Sequence, residues 1–132
     1  MDVADPVIAI VDDDEFVRRA LRRLIGMLSY RPVAFSSGED FLASLAYMVP
    51  ACVLLDLHMP GLNGLEVLKE MRSRSFNVPT IIISGNGRPE FRTLCIRAGA
   101  IDYLQKPLSP TILDATIQQA LARRNGSTPP SN

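Results

Sequence analysis

The apolar positions of the chain fall into short unbroken runs separated by longer stretches with helical spacing. Four runs stand out: "VIAIV" (7–11), "CVLL" (52–55), "TIIIS" (80–84) and "IDYLQ" (101–105). A weaker one is "RPVAF" (31–35). Runs this continuous suit strands covered on both faces, as in a parallel sheet. Between them the period changes. Residues 15–28 place Phe16, Ala20, Leu21, Leu24, Ile25 and Leu28 on one stripe, and residues 38–47 do the same for Phe41, Leu42 and Leu45. Residues 64–73 align Val67, Leu68 and Met71, residues 89–98 align Phe91, Leu94, Cys95 and Ala98, and residues 110–124 align Leu113, Ile117, Ala120 and Leu121. Each stripe predicts an amphipathic helix.

Punctuation supports these boundaries. Asp14 is expected to cap the first helix, with Glu15 favourable to the helix dipole. Ser36 and Glu39 have capping-box spacing. Gly99 reads as a stop, and Ser109-Pro110 as a cap followed by proline in the first turn. The order βαβαβαβαβα, with right-handed crossovers, predicts an α/β fold. We expect a five-stranded parallel sheet of order 2-1-3-4-5 with helices on both faces, a flavodoxin-like three-layer sandwich. Residues 1–124 read as one domain. Residues 125–132, ending "GSTPPSN", read as a polar tail or the start of a linker.

Composition narrows the function. The chain has 132 residues, 47% apolar and 21% charged, within the range of one globular domain. Its 14 basic and 14 acidic side chains give no global basic field for nucleic acid. There is no Trp, and the other aromatics are scattered, which argues against a stacking platform for single strands. The acidic N-terminus with its short apolar run is no signal peptide, and no stretch reaches membrane-span length, so a cytoplasmic protein is expected. Cys52 and Cys95 fit no metal or redox spacing and sit in apolar company, as buried small hydrophobes of a reducing compartment.

The chemistry collects where the strands end. In an open α/β sheet, ligands bind beyond the carboxyl ends of the strands near the switch in strand order. The first strand runs into Asp12, Asp13, Asp14 and Glu15, and the third into Asp56. The fourth runs into Ser84-Gly85-Asn86-Gly87, and the fifth into Lys106-Pro107. With strands one and three adjacent, Asp12, Asp13 and Asp56 converge. Three carboxylates repel one another at close range. A hard divalent cation with oxygen ligands resolves that conflict, and Mg²⁺ suits carboxylates combined with a carbonyl, waters and a phosphate oxygen. Lys106 adds a further positive charge, so the formal charge returns to about zero and a phosphoryl group becomes admissible. A flavin or dinucleotide site would need a Gly-rich first turn, whereas "DDDE" carries the opposite sign.

At this point the chain resembles the response-regulator receiver domains of bacterial two-component signalling. The residues that carry the resemblance are Asp12-Asp13, "DLHMPGLNG" with Asp56, Pro60 and Gly64, "IISGNG" with Ser84, and "AGAIDYLQKPL" with Tyr103, Lys106 and Pro107. It runs from about Val7 to Arg124. "SGNG" and "AGAIDYLQKP" are most similar to the nitrogen-fixation regulator subgroup, whose members usually carry a LuxR-type helix-turn-helix output domain. The resemblance implies that Asp56 is the phosphoacceptor, taking its phosphoryl group from a phospho-histidine of a sensor histidine kinase. It implies that Asp13, Asp56 and the backbone carbonyl of His58 ligate Mg²⁺, with Mn²⁺ as an alternative ion and Asp12 acting through water. Lys106 would pair with Asp56 and then with a phosphoryl oxygen, and Ser84 would donate its hydroxyl to that group. Tyr103 would then turn inward and alter the face formed by the fourth helix, fifth strand and fifth helix, the expected face for a homodimer on phosphorylation. DNA would be reached only through an output domain outside this chain, and no membrane contact is implied. The protein would be a switch that catalyses only its own phosphorylation and dephosphorylation.

Plainer readings stand beside these. Arg18, Arg19, Arg22 and Arg23 read as a solvated face. His58 and Asn86 read as rim residues facing each other across the site and tuning dephosphorylation. Tyr103 without its motif would be an ordinary aromatic. An aspartyl-nucleophile phosphatase would have a second aspartate two residues after the nucleophile, where this chain has His58. A receiver that signals without phosphate would lack a pocket residue, and none is missing. Arg88-Pro89 departs from the acidic residue common in the subgroup, which leaves the surface of the fourth helix open.

Overall fold

The computed structural model describes residues 5–85 and 87–124. The elements run β1 (Val7–Val11), α1 (Glu15–Met27), β2 (Arg31–Phe35), α2 (Gly38–Ser44), β3 (Cys52–Asp56), α3 (Gly64–Ser73), β4 (Thr80–Ser84), α4 (Pro89–Arg97), β5 (Asp102–Gln105) and α5 (Pro110–Arg124). The strands form one parallel sheet in the order β2-β1-β3-β4-β5, as the pattern of runs predicts. No described helix is long and apolar enough to cross a membrane. The expected tail, residues 125–132, lies outside the described residues.

The sheet separates two apolar cores, which explains why its strands are apolar without alternation. Ala9, Val11, Val53, Leu55 and Ile82 face one side, where α2, α3 and α4 bring Phe41, Leu68, Met71 and Cys95. Ile8, Ile10, Leu54, Ile81 and Ile83 face the other, where α1 and α5 bring Leu21, Ile25, Leu113 and Ile117. Both cysteines are buried free thiols, and burial pushes the Cys52 thiol up to about 12.

Most helix ends follow the expected chemistry. Asp14 caps α1, accepting from the Phe16 and Val17 amides at 2.8 and 3.3 Å. Gly99 follows α4 with φ +110°, a left-handed geometry that glycine adopts without strain. Ser109 Oγ accepts from the Ile112 amide at 3.3 Å at the start of α5. Two expectations shift. The cap of α2 is Ser37, which accepts from the Asp40 amide at 3.1 Å, rather than Ser36 with Glu39. The one-residue advance buries Gly38, whose missing Cβ leaves the space taken by the Val67 side chain of α3. The reciprocal capping box lies instead at α3, where Asn63 and Glu66 exchange bonds of 2.9 Å.

The stripe expected on α1 is also narrower than its sequence. Leu21 and Ile25 are buried, but Phe16 is 78% exposed and Ala20 also faces solvent. Phe16 lies in the first turn of α1, just past the Asp14 cap, and is left open to solvent. There it lines an apolar cavity of about 500 Å³ with Val17, Leu24, Pro107 and Leu108, and Lys106 forms part of its wall. Leu94 is likewise half exposed on α4.

Candidate functional site

Strand register builds the site. Val11 pairs with Leu55, Asp56 with Ile83, and Ser84 with Gln105. The carboxyl ends of β1, β3, β4 and β5 therefore stop at one level, with Asp12, Asp56, Ser84 and Lys106 at or just past it. Backbone bonds extend the ladder into the loops: Asp12 N donates to Phe35 O at 3.2 Å, Leu57 N to Ile83 O at 2.9 Å, and Lys106 N to Ser84 O at 2.8 Å. Gly64, at the first position of α3, completes the mount. A Cβ there would collide with the Asp56 carbonyl oxygen and lie 2.9 Å from Leu57 Cα.

Asp12, Asp13 and Asp56 come together as expected. Each offers a carboxylate oxygen, and the three oxygens lie within 4.8 Å of one another. Asp12 and Asp56 are 2% and 5% exposed, whereas Asp13 is open to solvent. Lys106 Nζ donates to Asp12 Oδ2 at 3.1 Å and to Asp56 Oδ1 at 3.4 Å. Asp14 N donates to Asp12 Oδ1 at 2.9 Å.

The charges do not balance. Three carboxylates against one ammonium leave two negative charges. Burial, and then the charge of Asp12, push the Asp56 carboxyl up to about 6, although Lys106 pulls it down. Burial alone would lower the Lys106 ammonium, but its bond to Asp12 and the charges of Asp56 and Asp12 carry it upward. Burial leads the first shift, and the crowding of Asp12 and Asp56 around Lys106 contributes to both. A cluster of hard oxygen donors with surplus negative charge fits Mg²⁺.

The remaining expected residues divide. Ser84 is fully buried at the end of β4. Tyr103 is 7% exposed, with its ring inside the core that also holds Cys95 and Ala100. The inward position expected after phosphorylation is thus already present in this structure. His58 stands exposed at the rim, its ring edge-on to Phe91 of α4 with centroids 5.5 Å apart. Asn86, its expected counterpart, lies outside the described residues. Helix α4 is also tied to β5 by Arg92, whose Nη1 donates to Tyr103 O at 3.0 Å and to Asp102 Oδ1 at 3.3 Å.

Sequence reasoning missed Arg18. It belongs to a run that reads as a solvated face, and Arg19, Arg22 and Arg23 do lie there. Arg18 is half-buried instead, and its Nη1 donates to the Asp12 backbone carbonyl at 2.8 Å. Its spacing of five residues from Asp13 was the available clue, since one helical turn beyond a cap brings a long side chain back over the preceding loop.

The chain and its fold are similar to known proteins. A family model describing the response regulator receiver domain matches residues 8–118. The response regulator protein TmoT of Ectopseudomonas mendocina is 36% identical over 121 residues, 92% of this chain and 55% of that protein. The transcriptional regulatory protein FixJ of Rhizobium meliloti is 31% identical over 118 residues, 89% of this chain and 58% of that protein. The chain thus spans somewhat over half the length of these curated relatives. Among solved structures, the crystal structure of FixJ-N superposes with a TM-score of 0.84 at 31% identity, covering 90% of this chain and 95% of that one. The BeF3-activated DrrB receiver domain superposes with a TM-score of 0.80 at 29% identity, covering 90% and 99%.

Proposed function

The chain belongs to the response-regulator receiver family, the receiver domain of a two-component response regulator, and on that footing we propose that Asp56 is its phosphoacceptor. The observation that carries the reading is the cluster of Asp12, Asp13 and Asp56 within 4.8 Å, bridged on one side by Lys106. The Asp56 carboxylate attacks the phosphorus of a phospho-histidine on a sensor histidine kinase. A P–O bond forms, the P–N bond breaks, and the imidazole leaves with its electron pair.

Asp12, Asp13, Asp56 and the backbone carbonyl of His58 would hold Mg²⁺. Bound there, the ion supplies charge that lets a phosphoryl group approach the carboxylates. The chain's own groups do the rest. The ladder fixes the Asp56 mount, Lys106 is placed to exchange a carboxylate oxygen for a phosphoryl oxygen, and buried Ser84 donates its hydroxyl to the same group. Exposed His58 controls water access at the rim, and Asn86 is assigned the same part from its place in the sequence. The apolar cavity beside Lys106, with exposed Phe16 on its wall, is where the kinase presenting the phospho-histidine would seat. Residues Tyr103 and Ser84 then relay the state of the pocket to the α4–β5–α5 face. Ile96 of α4, one turn from the Arg92 that bonds β5, and Ile112 of α5 are exposed, and we assign that face to pairing with a second copy. TmoT and FixJ are named as response and transcriptional regulators, so transcription through a DNA-binding output domain beyond this chain, in the cytoplasm, is the output we assign. Residues 1–124 would be the receiver and 125–132 the start of the connection.

The test is direct. Mixed with Mg²⁺ and a small phosphodonor, the protein should gain one phosphoryl adduct by mass spectrometry. The adduct should require the metal and disappear in Asp56→Asn. Absence of an adduct with every donor tried would refute the assignment.

A further inference from the structure

Arg18 stands apart from the arginines around it. Arg19 pairs with Glu15 at 3.3 Å in the open, and Arg22 and Arg23 are exposed. Arg18 turns back along α1, is half-buried, and reaches the Asp12 carbonyl with a charge-assisted bond of 2.8 Å. That carbonyl belongs to the planar peptide joining Asp12 to Asp13. Fixing its direction fixes the mounts of two of the three clustered carboxylates together. The other polar atoms of Asp12 are also held: its amide by Phe35 O at 3.2 Å, Oδ1 by the Asp14 amide at 2.9 Å, and Oδ2 by Lys106 at 3.1 Å. The Asp14 and Arg18 bonds both anchor the loop to α1, one at its cap and one a turn further in.

We infer that Arg18 is a positioning residue of the pocket, orienting Asp12 and Asp13 for cation binding through the Asp12 carbonyl. The inference rests on the reading of the pocket as a Mg²⁺ site. It also has a sign that charge alone would reverse. Arg18 is a cation bonded to the loop that carries two of the carboxylates, so as a mere charge it repels Mg²⁺, and its removal would tighten binding. As a positioning residue, its removal loosens the Asp12–Asp13 peptide and weakens binding.

Calorimetric titration of MgCl₂ into the unsubstituted chain, Arg18→Ala and Arg22→Ala separates these outcomes. Arg22→Ala deletes the same charge from the same helix without touching the loop. Arg18→Ala should bind Mg²⁺ about tenfold more weakly, as is usual when an outer-shell partner is lost, while Arg22→Ala should bind as the unsubstituted chain does or slightly tighter. The initial rate of phosphorylation in Arg18→Ala should recover as Mg²⁺ is raised. Thermal melts confirm folding, and should Arg18→Ala fail to fold, Arg18→Gln is titrated instead with the same expectation. Unchanged or tighter binding in the Arg18 variant overturns the inference. Absence of Mg²⁺ binding by the unsubstituted chain overturns the reading of the pocket and the inference with it.

Discussion

Replacing Asp56 by asparagine removes a charge that the fold holds at a cost. The two side chains have the same shape, and an amide oxygen can still accept from Lys106. The Asp56 carboxyl lies 5% exposed beside Asp12, and it is displaced from 3.8 to about 6, by burial first and by the neighbouring charge second. A displacement of that size corresponds to about 3 kcal/mol against the charged form. Because the folded value lies above the unfolded one, the penalty is complete above about pH 6, shrinks as pH falls, and vanishes below about pH 4, where both states carry the proton. Asp56→Asn should therefore be more stable than the parent near pH 7.5 with metal chelated, by roughly 1–3 kcal/mol. The lower end allows for a weaker bond to Lys106. For a domain of this size, about 1 kcal/mol moves Tm by roughly 3–5 °C, so a rise of about 5–10 °C is expected. The gain should shrink near pH 5, and Mg²⁺ should narrow it by stabilising the parent more than the variant. Thermal melts of the pair at several pH values, with chelator and with Mg²⁺, provide the measurement. A variant no more stable than the parent near neutral pH, or a gain that persists unchanged in acid, would refute the account of the pocket's charge.

Other expectations are simpler. Gly64→Ala should destabilise the fold by more than about 2 kcal/mol and impair phosphorylation, because the new Cβ would strike the backbone of Asp56 and Leu57; denaturant unfolding and the mass-shift assay report the two effects. Asn63→Ala should cost about 1 kcal/mol in the same unfolding assay by breaking the capping box of α3. Cys52 and Cys95, both buried and with thiols pushed upward by burial, should resist a thiol-specific colorimetric reagent in the native protein and react together once it is denatured. Tyr103→Ala should cost about 3 kcal/mol, since it empties a core position, whereas Arg92→Ala should cost under about 1 kcal/mol as an exposed pair.

The fold was legible because its elements announce themselves with different periods. β1, β3 and β4 are unbroken apolar runs because both faces are covered, and even the weak run 31–35 proved to be β2 with the same bounds. The α3 and α5 bounds were equally plain, since Gly64 and Pro110 mark where each helix begins. The misplacements came from tertiary packing that local pattern does not encode. Ser36 and Ser37 are equivalent as caps until Val67 fills the space above Gly38. Phe16 sits on the apolar stripe of α1 by spacing alone, but in the fold it borders an open apolar cavity instead of packing into the core.

The site was legible for a related reason, and Arg18 escaped for its converse. In a parallel sheet, residues at the carboxyl ends of adjacent strands are neighbours once the strand order is known, so Asp12, Asp56, Ser84 and Lys106 could be assembled from position alone. Arg18 is placed by the direction of its side chain, which a run of four arginines conceals. The two cations near the pocket therefore act at different atoms. Lys106 meets the carboxylates themselves and shares oxygens with whatever cation arrives. Arg18 meets a carbonyl, so it can hold the loop without occupying a ligand position. This division leaves the pocket its surplus negative charge while the loop backbone at Asp12 is held. It also means that neutralising Asp56 removes a charge held at a cost, whereas removing Arg18 would leave every carboxylate charge in place and free the Asp12–Asp13 peptide to move.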